Sequence, residues 1–142
     1  MAWNRGPVAA TLGDPFADPR VELALGDVAS LIGRTKNRFA AIVLDIDNGP
    51  TRRPGALNQR LYSGAGLAEA AAALAPRGRL AIWSADDEVQ EFVHRLAQAG
   101  LRARKIAVPA HRGRGGKPHV VYLGERPDAA PRSAFPGRSS AP

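Results

Sequence analysis

No cysteine occurs in the 142 residues, so a disulfide framework and thiolate metal sites are excluded. No apolar run approaches the roughly 20 residues needed to cross a bilayer. The start, MAWNRGPVAATLGD, also lacks the long apolar core of a secretory signal. A soluble cytoplasmic protein with no membrane partner is the expectation. Aromatic residues are scarce, at 6%. None is interleaved with the basic residues of HRGRGGKPH, as the stacking platform of a single-strand nucleic-acid binder requires. Acidic residues are scarce only locally. Residues 1–101 hold 11 basic and 11 acidic side chains, whereas residues 102–142 hold 9 and 2, so the whole net charge of +7 lies at the C-terminal end. A solvated loop and a basic tail account for that charge more simply than a nucleic-acid partner does.

What remains is one domain's worth of chain with an ordinary apolar content of 44%. RVELALGDV (20–28) reads as a short strand running into Gly26-Asp27. FAAIVLDI (39–46) is a continuous apolar run that suits a strand covered on both faces. AGLAEAAAALA (65–75) has strong helix propensity, and Pro76-Arg77-Gly78 stops it. RLAIWSA (79–85) is a further strand. DDEVQEFVHRLAQAG (86–100) is a helix with acids in its first turn, Gly100 at its end, and one apolar stripe of Val89, Phe92, Val93, Leu96 and Ala97. LRARKIAVPA and HVVYLGE flank the glycine loop HRGRGGKP and predict an antiparallel hairpin. From Arg126 onward, Pro, Ser, Ala and Arg dominate, which predicts a disordered tail over 126–142.

This order predicts an α/β fold with helices on a mostly parallel sheet. Right-handed crossovers gather the carboxyl ends of parallel strands on one edge, where open α/β sheets bind ligands. Asp27, Asp45 and Asp47 all follow predicted strands and are expected at that edge.

Four segments, DPRVELALGDV, FAAIVLDIDNGP, LYSGAGLAEAAAALAPRGRLAIWSA and FVHRLAQAGL, together resemble the spermidine synthase-like group of class I S-adenosylmethionine-dependent transferases. The resemblance covers about residues 3–124. Its most specific parts are the DPRV…GD pair and the LDIDNGP turn. The L-x-P-x-G-x-L stretch is shared with most Rossmann-like methyltransferases. The resemblance implies a partial Rossmann-like sheet that lacks its first two strands and ends in an antiparallel hairpin. Residues 1–125 would form the C-terminal half of a transferase domain. It implies S-adenosylmethionine or its decarboxylated form as cofactor, and a small amine or other nucleophile as partner. It places Asp27 at the cofactor's adenine and makes Asp45 the catalytic carboxylate that orients and deprotonates the nucleophile. Asp47, Tyr62 and Trp83 would lie toward the substrate, and no metal is implied. A carboxylate suits the role given to Asp45, because it holds an ammonium by charge-assisted hydrogen bonds and then accepts a proton.

The departures also carry information. Polyamine synthases carry a second acid three residues on, as Asp-x-x-Asp-Pro, whereas here Asp47 comes two residues on and Asn-Gly-Pro follows. A glutamine after the next strand is replaced by Trp83-Ser84, so the set that holds a polyamine is incomplete. The glycine-rich cofactor loop and the ribose-holding acid that open such domains have no counterpart, and MAWNRGP resembles the helix after them. The chain is thus expected to be a truncated, weak or inactive transferase. GAGLAEA (64–70) imitates a dinucleotide fingerprint but follows Leu-Tyr-Ser rather than a strand, which favours a helix start.

Plainer alternatives stand beside these roles. Asp45 and Asp47 suit a strand-end turn, Asp27 suits a helix N-cap, and Trp83 suits a buried packing position. Trp3, Asn4 and Arg5 suit capping and packing. His94 suits a surface helix position, and His111 and His119 alone make a poor metal site. The alternative function is a non-catalytic module. A remnant sheet exposes an edge, which pairs with a second copy or with a partner supplying strands.

Overall fold

The computed structural model describes residues 7–46, 49–50, 58–85, 89–109 and 118–128. Trp3, Asn4, Arg5, Asp47 and His111 lie outside the described residues. Helix α1 (Pro7–Leu12) and a 3₁₀ turn (Pro15–Ala17) come first. They are followed by α2 (Val28–Arg34), β1 (Phe39–Leu44), α3 (Gln59–Tyr62), α4 (Gly64–Ala73), β2 (Leu74–Ser84), α5 (Val89–Gln98), β3 (Arg102–Val108) and β4 (His119–Glu125).

The strands form one sheet in the order β1-β2-β4-β3. β1 and β2 are parallel, as a strand–helix–strand unit requires, and β4 is antiparallel to both β2 and β3. The sheet is therefore mixed: three of its four strands run the same way and β4 runs against them. The predicted hairpin accounts for half of its strands.

Strand alternation sorts the side chains into two faces. Ile42, Leu44, Leu80, Ile82, Val120 and Tyr122 share one face in register, and all are buried. Ala29 and Ile32 of α2, Leu67, Ala70 and Ala73 of α4, and Phe92 and Leu96 of α5 join them in a single core. Helices thus cover one face. On the other face Val43 is 71% exposed, Ile106 and Val108 are also exposed, and Ala81, Trp83, Val121 and Leu123 are half-buried.

Each helix has a local cause. Ser63 caps α4, its Oγ accepting from the Gly66 amide at 3.1 Å. The GAG sequence is therefore a helix start, as its context predicts. A Cβ on Gly66 would fall on the Arg60 carbonyl, so glycine permits α3 and α4 to meet closely. In α5, Phe92 and Leu96 are fully buried, each contributing about 1.5–3 kcal/mol of burial. Phe92 lies edge-on to Tyr122 at 4.8 Å and to Tyr62 at 6.3 Å. Ala97, expected on the apolar stripe, is exposed. Gly100 has φ +86°, its amide donates to the Ala97 carbonyl, and the Leu101 amide donates to the Leu96 carbonyl. This pairing is the Schellman ending, which favours glycine at the left-handed position.

Three sequence expectations change. Residues 21–25 are not in a strand. Their Val-Glu-Leu-Ala-Leu alternation has a strand's period, but no neighbouring strand pairs with it among the described residues, and Val21, Leu23 and Leu25 are exposed. β2 begins at Leu74, five residues earlier than predicted. Pro76-Arg77-Gly78 ends the helix but then forms an irregularity within the strand, between the pairs Phe39–Leu74 and Ala41–Arg79. Finally, ordered structure extends past Glu125. The Arg126 guanidinium donates to Asn37 Oδ1 (2.6 Å), to the Ala72 carbonyl (3.3 Å) and to the Leu74 carbonyl. Its backbone exchanges hydrogen bonds with Arg77 and Gly78.

Candidate functional site

Because β1 and β2 run parallel, their carboxyl ends at Leu44 and Ser84 lie on one edge of the sheet, where antiparallel β4 begins at His119. Asp45 follows Leu44 directly and is exposed. Leu44 pairs with Ile82, so Asp45 stands level with Trp83 on the neighbouring strand. Gly49 and Pro50 lie against the end of β2. Gly49 and Pro50 are buried, and a Cβ on Gly49 would fall on the Ser84 hydroxyl and within 2.8 Å of Ser84 Cβ. Gly49 also has φ +116°, which favours glycine. Gly49 and Pro50 are therefore pressed against the end of β2, while Asp45 stays exposed at the rim.

Trp83 is half-buried and stacks on the His119 ring, with centroids 5.1 Å apart and planes at 42°. His119 Nδ1 is buried and has no hydrogen-bond partner among the described residues. In the sequence His119 is only a residue beside a hairpin loop. Its contact with Trp83 depends on the β2–β4 pairing, which no local pattern encodes. Among the described residues no group of three or more His, Asp or Glu side chains is placed to hold a metal.

Asp27 lies at the start of α2. Its carboxylate accepts from the Ser30 amide (2.9 Å), the Ser30 hydroxyl (2.5 Å) and the Ala29 amide (3.3 Å). The Ser30 hydrogen bonds hold its pKa below the ordinary carboxylate value. Three donors leave part of the acceptor capacity of two carboxylate oxygens unused. Asp27 also borders a cavity of about 280 Å³ lined by Leu25, Gly26, Val28, Leu31 and Arg34. After α2 the chain returns to β1 through residues 35–38, where Asn37 takes φ +52°.

Tyr62 is a correction. Its residue is 3% exposed within the core, its ring meets Phe92, and its carbonyl accepts from Arg95 Nη1 at 3.1 Å. It packs within the helical layer, buried away from the exposed rim where Asp45 lies. His94 is exposed and contacts Gln98, as a surface helix position predicts. Part of the C-terminal basic excess surrounds Glu125, which pairs with Arg79 at 3.2 Å, near Arg102 and Arg104. No helix among the described residues is long and apolar enough to cross a membrane.

No protein-family model matches the chain, and no curated protein sequence matches it either.

Proposed function

We propose that the chain carries the acceptor-side edge of a spermidine synthase-like, S-adenosylmethionine-dependent transferase, with aminopropyl or methyl transfer to a small nucleophile as its chemistry. The observation that carries this is the position of Asp45. It is an exposed carboxylate directly after a parallel strand, level with a half-buried tryptophan, at the edge where α/β sheets bind ligands. The order β1-β2-β4-β3, a parallel pair closed by an antiparallel hairpin, agrees with the sheet that the resemblance implies for a C-terminal half.

The residues near Asp27 fit the adenine end of the cofactor. The carboxylate retains acceptor capacity for an exocyclic amino group, and the apolar walls of Leu25, Val28 and Leu31 suit a flat base. When bound, S-adenosylmethionine or its decarboxylated form supplies an electrophilic carbon beside a sulfonium. Asp45 holds the amine nucleophile, orients its lone pair and takes the proton released on attack. Trp83 borders the nucleophile with an aromatic surface, which favours a cationic amine before deprotonation. The cavity is at the small end of the roughly 300–1,000 Å³ typical of ligand sites. It accommodates a base rather than a whole nucleoside, so the chain by itself binds cofactor weakly and turns over slowly or not at all.

Titration of the isotope-labelled chain with adenosine tests the proposal. Amide shifts are expected over residues 26–34 with millimolar affinity. Asp27→Asn should fold and lose them, because its amide presents donors to a donor. Unshifted Gly26, Ala29 and Ser30 amides would rule out the adenine assignment. Calorimetry with S-adenosylmethionine and its decarboxylated form should show no micromolar binding, and a micromolar affinity would overturn the reading of a weak, partial site.

A further inference from the structure

The two edges of the sheet are chemically unlike. β3, at one edge, carries Arg102, Arg104 and Lys105 within seven residues. Charges of this kind keep an exposed edge from pairing with another chain. β1, at the other edge, is FAAIVL, with no charge and no proline. Among the described residues its outer side makes no backbone hydrogen bond to any segment. Val43, next to the last residue of this strand, is 71% exposed, more than any other exposed valine or isoleucine among the described residues. An open row of strand amides and carbonyls is satisfied by another strand, and the side chains flanking it decide which one.

We infer that β1 is a self-association edge, and that its occupant is β1 of a second copy of this chain. Charge selects this partner. A strand without charge offers nothing for a charged segment to recognise, whereas the same edge of a second copy is equally neutral. Symmetry favours it too. Pairing β1 with β3 of another copy would set a neutral edge against three cations and would propagate without closing. Pairing β1 with β1 across a two-fold closes after one contact. The product is a continuous antiparallel junction between two four-stranded sheets, in which both copies of Val43 are brought toward cover. This inference goes beyond the transferase reading and does not depend on it.

Sedimentation of the full chain over a range of concentrations tests it. The expected result is a monomer–dimer equilibrium. Val43→Lys should raise its dissociation constant about tenfold or more, because it puts a charge on the neutral edge that pairing must bring beside a second copy. Ile106→Lys, a change at an exposed position on the basic edge, should leave it unaltered. Both positions are exposed, and circular dichroism confirms that each variant is folded. Exchange of the Phe39–Leu44 amides should slow as concentration rises. A monomer at every concentration, species larger than a dimer, association that survives Val43→Lys, or equal loss in both variants would each overturn the inference.

Discussion

The Ser30 hydroxyl and amide and the Ala29 amide converge on the Asp27 carboxylate, and all three favour its charged form. Asp18 is held low in the same way by its exposed pairing with Arg20. Both groups therefore have folded pKa values below their unfolded ones. Their stabilisation is fully present above the ordinary carboxylate value of about 4 and is lost as pH falls through the lowered folded values. Asp27→Asn keeps an acceptor for the helix amides and should melt within a few degrees of the parent at pH 7. Its melting temperature should fall less steeply as pH drops below about 4, with Asp18 contributing to the dependence that remains. Thermal melts of both proteins across that range check this. At this scale the sequence was informative wherever a role depends on immediate neighbours. The N-cap reading of Asp27 needs only Ser30, and the strand-end position of Asp45 needs only the run before it. The stacking of Trp83 on His119 and the burial of Tyr62 depend on partners 36 and 30 residues away, Phe92 being the partner of Tyr62, and local pattern carries no such information.

Among the elements, β1, α4, α5 and the β3–β4 hairpin follow from composition, period and glycine placement. Residues 21–25 differ because alternation specifies a strand's shape but not its pairing, and an unpaired strand pattern stays irregular. The early start of β2 was hidden for a related reason. Pro76-Arg77-Gly78 ends a helix by chemistry that acts locally, whereas its acceptance within a strand depends on partners far along the chain. Arg126 is the foremost of these. Its guanidinium ties the end of α4 and the start of β2 to Asn37 ahead of β1. Arg126→Ala should lower unfolding free energy by about 1–3 kcal/mol, since part-buried carbonyls lose a charged donor. Urea denaturation followed by circular dichroism measures it.

For the molecule as a whole, one layer of helices on one face of the sheet grades the stability from the centre outward. β2 and β4 are paired on both sides and contribute Leu80, Ile82, Val120 and Tyr122 to the core, whereas β1 and β3 are each paired on one side. In dilute solution the amides of the two central strands should exchange only through global unfolding, and those of β3 through smaller local openings. Hydrogen exchange followed by NMR distinguishes the two classes. The strand order also has a consequence for synthesis. Of the four described strands β4 is the last to leave the ribosome, yet its place is between β2 and β3. Until it emerges, β3 has no hydrogen-bonding neighbour, one side of β2 is bare, and Phe92 lacks the ring of Tyr122. The nascent chain therefore waits with this sheet open, and a single late docking step by β4 closes it on both sides at once.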